Sequence, residues 1–290
     1  MLVDFWTYTC VNWLRQLPYV RAWADRYSDH GLVVVGVHTP EFGFERDVDN
    51  ISKAVAERRI AYPVAIDSQY AVWNAFGNHY WPALYFADAQ GRIRHHHWGE
   101  GEYERSEMVI QRLLVEAGSS PGDGMVSVEP RGLEVGADWP TLRSAETYTG
   151  YERSEGFASP EGLRPGTAQV YSVPDDLRLN EWALSGDWTV AAQPATVNAA
   201  GATVACRYHA RDVNLVMGPA VRGASARYQL RVDGQPPGAA HGDDVDELGN
   251  GTLTDQRLHQ LIRHDDRITD RTVEITFLQP EAQVFCFTFG

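Results

Sequence analysis

The run LVVVGV from Leu32 to Val37 is nearly continuous in β-branched residues, the pattern of a strand buried on both faces. Upstream, Leu14, Leu17, Val20 and Trp23 recur every three or four positions, which predicts an amphipathic helix from about Val11 to Tyr27. A second helix is expected over roughly Asp47 to Arg59. Short strands follow at Tyr62 to Ile66, Ala83 to Ala87 and Ile93 to Trp98. Between them come a short helix around Tyr70 to Phe76 and a turn at Asp88 to Gly91, and a helix at Glu104 to Ala117 closes the series. Helices on both sides of an apolar strand imply an α/β sheet.

Past that point the pattern changes. Gly118 to Gly124 reads GSSPGDG, a cluster of turn formers with nothing to bury, and loop-like composition continues through Pro140. Residues 118–143 are therefore expected to link a first domain, 1–117, to a second, 144–290. In the second, short alternating segments are separated by turn residues: Ala168 to Val173, Trp188 to Ala192, Thr203 to Tyr208, Val213 to Met217, Arg227 to Val232, Val273 to Leu278 and Val284 to Phe289. Helical periodicity is scarce there, so an all-β sandwich is predicted.

Composition narrows the function classes. The chain has 290 residues, 43% hydrophobic and 22% charged, with a net charge of −14, values of a globular protein of about two domains. Residues 1–117 hold 11 of the 25 Lys and Arg and 15 of the 39 Asp and Glu. Most negative charge thus lies in the second half, and a phosphate backbone would meet a repelling field, which argues against nucleic acid as a partner. No apolar run approaches the roughly 18 residues of a membrane span, and no signal-peptide order opens the chain. A cytoplasmic location is the default expectation, and a cell-envelope one if residues precede Met1.

Three cysteines, Cys10, Cys206 and Cys286, are too few and scattered for a disulfide framework or a four-ligand zinc site. In the strand from Thr203, the residues Val204, Cys206 and Tyr208 share the inward face; in the last strand Phe285, Phe287 and Phe289 do, leaving Cys286 on the other side. These parities oppose a Cys206 to Cys286 bridge. Cys10 stands between the strand Leu2 to Trp6 and the first long helix, where N-terminal amides and the macrodipole favour a thiolate. It is either a nucleophile or an inert buried thiol. His95-His96-His97 offers at most His95 and His97 to one ion, because neighbours on a strand face opposite ways, and a partly solvated strand is the plainer reading. No metal and no other cofactor is called for. His38 and Glu41 follow the end of the Leu32 to Val37 strand, where α/β sheets place functional groups, and either bind substrate, tune Cys10 or merely cap a loop.

The ordered set LVDFW at Leu2 to Trp6, Cys10, Pro18 within the next helix, Trp81-Pro82, and a strand ending in Asp88-Ala-Gln-Gly91 resembles the thioredoxin superfamily. The resemblance implies a thioredoxin fold in which Asp4 is the buried proton-exchanging carboxylate, Cys10 the attacking thiol and Pro82 the cis-proline beside it. Where the family carries Cys-x-x-Cys, this chain reads Cys10-Val11-Asn12-Trp13, so a mixed disulfide at Cys10 must be resolved by an external thiol or a distant cysteine. Thr7-Tyr8-Thr9-Cys10 is also similar to the Thr-x-x-Cys of peroxiredoxins, which implies a one-cysteine peroxidase as the alternative, with Thr7 positioning peroxide. A protein that binds on this scaffold without catalysis is the third possibility.

FWTYTC at Phe5 to Cys10, GVHTPEF at Gly36 to Phe42, YWPALYF at Tyr80 to Phe86, ETYTGY at Glu146 to Tyr151 and the closing VFCFTFG carry a closer likeness. They resemble the extracytoplasmic C-terminal portion of DipZ proteins, a TlpA-like domain followed by a jelly roll. That likeness implies a thiol or disulfide partner, protein or small molecule, with Trp81 beside the bound substrate. The second domain is similar to galactose-binding-like carbohydrate modules, so Trp139, Tyr148, Tyr151, Trp182 and Trp188 are candidates for a sugar-stacking platform or for core. In the thioredoxin sheet an N-terminal strand pairs with the one matching Leu32 to Val37. Without it the edge would be open, to be covered by self-association into a homo-oligomer or by another segment such as the linker.

Overall fold

The computed structural model describes residues 1–122, 124–265 and 267–290; Asp123, within the GSSPGDG stretch, lies outside the described residues. Two units, Met1–Val135 and Gly136–Gly290, divide the chain.

In the first unit, strand β1 (Leu2–Trp6) leads through Cys10 into helix α1 (Val11–Tyr27), followed by β2 (Val34–His38), α2 (Val48–Glu57), β3 (Val64–Ile66), α3 (Ala71–Ala75), β4 (Ala83–Ala87), β5 (Ile93–Trp98) and α4 (Tyr103–Glu116). The sheet order is β3-β2-β1-β4-β5. β1, β2 and β3 run parallel, β4 is antiparallel to them, and β5, antiparallel to β4, runs in the direction of the first three. This is the thioredoxin fold that the sequence resembles. β1 is buried along its whole length because it is central. Val3 and Phe5 pack with Val37, Trp73, Ala83 and Tyr85 on one face, while Asp4 and Trp6 turn toward α1, meeting Trp13. The expected open edge of β2 is absent: β3 pairs with it at Gly36, Val37 and His38. The covering segment follows α2 and is not the linker, so the edge supplies no reason for self-association. α1 is fixed to α4 by Glu107, which accepts from the Trp23 indole (3.1 Å) and the Tyr27 hydroxyl (2.6 Å).

The second unit comprises β6 (Thr147–Tyr148), β7 (Ala168–Tyr171), β8 (Trp182–Val190), β9 (Ala195–Val197), β10 (Thr203–Tyr208), β11 (Asp212–Pro219), β12 (Ala226–Val232), β13 (Asn250–Leu253), β14 (Arg257–Arg263), β15 (Arg271–Phe277) and β16 (Ala282–Phe289). It is a β-sandwich whose layers are joined through β8. Trp182 to Ser185 pair with β10 in one layer, and Gly186 to Val190 pair with β7 and β9 in the other. The crossing point is Gly186, at φ +85°, where a Cβ would lie 2.9 Å from the Ala202 Cα, so only glycine fits.

One inward stripe differs from expectation. In the β11 and β16 ladder, Val216 faces Cys286 and Met217 faces Val284, so Phe285 is an extra, bulged residue. The core stripe is therefore Ala282, Val284, Phe287 and Phe289, with Phe285 outside it. Cys206 lies in that core, whereas Cys286 is buried outside it, opposite Tyr148. All three cysteines are thiols rather than half-cystines.

Candidate active site

The turn Thr7 to Cys10 carries the chain from the centre of the sheet into α1. Cys10 is the N-cap of α1, with extended dihedrals (φ −71°, ψ 111°), and its carbonyl accepts the first helical bond, from Leu14 N at 3.1 Å. Its side chain makes no cap bond and is 8% exposed, against 0% for Cys206 and 2% for Cys286. The thiol thus stands at the positive end of a 17-residue helix. Burial alone pushes the Cys206 thiol up to about 12, which keeps it protonated at neutral pH.

Beneath this turn, Asp4 is fully buried. Its Oδ2 accepts from the Trp13 indole at 3.2 Å and the Tyr62 hydroxyl at 3.4 Å, and its Oδ1 from Gln16 at 3.1 Å. Burial pushes its pKa up to about 7, and these three donors only partly oppose the shift. Trp13, at the position of the family's second cysteine, is itself fully buried and stacks on Trp6 with centroids 4.3 Å apart. The same indole that stacks on Trp6 thus holds the Asp4 carboxyl.

A second buried carboxyl, Glu45, lies on the short turn Gly43–Arg46 after β2. Its Oε1 accepts from Thr9 N (3.3 Å) and Thr9 Oγ1 (2.7 Å), and its Oε2 from the amides of Glu41 (2.6 Å) and Phe42 (2.9 Å). Burial raises its pKa to about 7, with the Thr7 and Thr9 hydroxyls and the Phe42 amide opposing and Glu41 adding to the rise. Sequence reasoning passed over Glu45 and Gln16. The signal for Glu45 was its place three residues after Phe42, a capping-box spacing hidden because the cap residue is not Ser or Thr.

The other residues singled out by sequence fall as follows. The Trp81-Pro82 peptide is cis. The Trp81 indole donates to Thr39 O at 3.0 Å, and Thr39 N in turn donates to Trp6 O at 2.9 Å, which ties the proline loop to the end of β1. Trp81 also packs on Trp73, centroids 4.3 Å apart. Thr7 is fully buried, and its carbonyl accepts from Cys10 N. His38 is fully buried between Tyr8 (5.6 Å, stacked) and Trp6 (4.8 Å, edge-on). Burial pulls its pKa down to about 3, so it is neutral and out of a substrate's reach. Glu41 is half-buried and contributes its amide to Glu45. His95 and His97 lie half-buried on the edge strand β5, and among the described residues no group of three or more His, Cys, Asp or Glu is placed to hold a metal.

In the second unit the aromatic candidates divide between core and surface. Trp182 and Trp188 are fully buried core residues whose indoles donate to Glu155 O and Ser185 O. The Tyr148 ring is covered by the Arg153 guanidinium at 3.4 Å. Trp139 and Tyr151 are exposed. Among the described residues no helix is long and apolar enough to cross a membrane.

Residues 144–290 match the family described as "Thioredoxin like C-terminal domain". The chain is 36% identical over 295 aligned residues to Protein DipZ of Mycobacterium bovis, covering 100% of this chain and 39% of that protein; it thus spans about two fifths of the curated relatives it matches along its whole length. It is 35% identical over 115 residues to Thiol-disulfide oxidoreductase YkuV of Bacillus subtilis, covering 40% of this chain and 77% of YkuV. The solution structure of a thioredoxin-like protein in the oxidized form matches at 32% identity and a TM-score of 0.36, over 40% of this chain and 78% of that one.

Proposed function

Because the chain belongs to the thioredoxin-like C-terminal domain family through residues 144–290, and carries a thioredoxin fold ahead of that domain, we propose that it is a thiol-disulfide redox protein with Cys10 as its nucleophile. The observation that carries the reading is the place of Cys10: the N-cap of α1, at the end of the central strand, above a buried carboxyl. The Cys10 thiolate attacks one sulfur of a partner disulfide, and the other sulfur leaves as a thiolate, giving a mixed disulfide at Cys10. With Trp13 one helical turn on, no thiol is at hand to expel the partner. An external thiol, protein or small molecule, attacks the mixed disulfide and regenerates Cys10. YkuV, by its name a thiol-disulfide oxidoreductase, supports the reaction class.

The same tryptophan favours a second reading. A one-cysteine peroxidase also dispenses with a neighbouring thiol: Cys10 is oxidised to a sulfenic acid by a hydroperoxide, which leaves as the alcohol, and external thiols reduce it back. Trapping with dimedone separates the two, since only the peroxidase forms an adduct at Cys10 on hydroperoxide treatment.

Both readings require a reactive Cys10. At pH 7.5, iodoacetamide is expected to modify Cys10 at least about ten-fold faster than Cys206 or Cys286 in the folded protein, as followed by mass mapping of labelled peptides. Equal rates would leave only a non-catalytic binding role on this scaffold.

A further inference from the structure

We propose that Glu45 is a positioning residue for Cys10, acting through Thr9; this rests on the reading of Cys10 as nucleophile. Capping the turn Gly43–Arg46 requires only Oε2, which takes the Glu41 and Phe42 amides. The other oxygen does something a cap does not need: it holds both the amide and the hydroxyl of Thr9, 36 residues earlier in the chain and immediately before Cys10. A turn-capping carboxylate is ordinarily solvated. This one has no exposure, and burying it is unfavourable unless hydrogen bonds compensate. Four donors converge on its two oxygens, the arrangement of a pocket shaped for a carboxylate.

The consequence falls on the backbone. With the Thr9 amide and side chain both held, the peptide entering Cys10 is fixed, and with it the extended N-cap conformation that aims the thiol at the first turn of α1. A thiol that wanders from that position loses the amide dipoles that stabilise its thiolate. Glu45 titrates beside Glu41 on its own loop and Tyr70, which donates its hydroxyl to Pro40 O.

Iodoacetamide rate constants for Cys10, measured from pH 5.5 to 9.5 on the full chain, test this. Glu45→Gln is nearly isosteric. Its amide nitrogen, turned toward Thr9, can donate to the hydroxyl but no longer accepts from the Thr9 N–H. The variant is expected to react about ten-fold more slowly at pH 7, with the Cys10 titration moved toward the free value of about 8.5 and the Glu45 inflection near neutrality gone. A purely structural role would lower the melting temperature and leave the profile of the folded protein unchanged, and that result overturns the proposal. If Glu45→Gln does not fold, Thr9→Val decides, because it deletes only the hydroxyl: a two- to five-fold slower reaction at pH 7 supports the proposal, and a wild-type rate overturns it. A wild-type Cys10 no faster than Cys206 would instead remove the underlying reading, and no variant is needed to see it.

Discussion

Asp4→Asn is expected to raise the unfolding free energy by about 2 to 4 kcal/mol at pH 8 and by much less at pH 4. In the folded protein the Asp4 carboxyl holds its proton to about pH 7, whereas the ordinary value is 3.8. Below the ordinary value both states are protonated and the group favours neither. Between there and 7 the unfolded chain releases the proton and the folded one keeps it, so stability falls as pH rises and is lowest above the folded pKa. Asparagine mimics the neutral carboxyl and does not titrate, so its advantage grows through that window and then stays constant. The site accommodates it: the amide oxygen can keep Trp13 and Tyr62 as donors, and Gln16, whose Oε1 has no partner among the described residues, can turn to accept from the new NH2. Urea titrations at pH 4, 6 and 8 measure this. A gain that does not change with pH would mean that Asp4 is not the neutral, buried acid its surroundings make it.

The first unit was legible because its strands and helices carry the two clean periods. Val11 to Tyr27, Ala83 to Ala87 and Ile93 to Trp98 are predicted with the bounds the structure shows. The second unit was read less completely, and the reasons are local. β14 was missed because His259 and Gln260 sit buried in its middle, held by Met217 O and by Asp244, so no apolar alternation appears. β13 was missed because it begins Asn250-Gly251, a turn signature. The glycine is required there, since a Cβ at 251 would lie 2.3 Å from the Tyr228 hydroxyl oxygen. The parity of β16 was misjudged at Phe285 because a bulge leaves no mark in an aromatic-rich sequence. At the candidate site, Cys10, Asp4 and Pro82 were singled out through the spacing of a family pattern. Trp13 was noticed as an absence, a missing cysteine. Its bond to Asp4 needed coordinates, because nothing in a linear sequence relates residue 13 of a helix to residue 4 of a strand.

Trp13→Cys is expected to give disulfide reductase activity well above that of the wild type, read as insulin turbidity in the presence of dithiothreitol. The introduced thiol stands one helical turn after Cys10, near enough to attack a Cys10 mixed disulfide without closing a loop, which raises its effective concentration far above that of free thiol. It also takes the indole's place beside Asp4, so a carboxyl that has no thiol to serve in the wild type gains one whose proton it can accept. Losing the indole removes one of the bonds that lower the Asp4 pKa, so the new activity should increase with pH through the neutral range as Asp4 ionises. The substitution is costly, since it empties a fully buried site stacked on Trp6 and forfeits about 3 to 5 kcal/mol; circular dichroism must show a folded variant first. Trp13→Ser creates a similar cavity without a thiol and should show no such gain, which separates resolution from loosened packing. Adding Asp4→Asn should recover part of the stability while slowing the resolving step, because the acceptor is gone. If folded, oxidised Trp13→Cys protein retains both thiols, the turn at Cys10 does not have the thioredoxin geometry on which the redox reading rests.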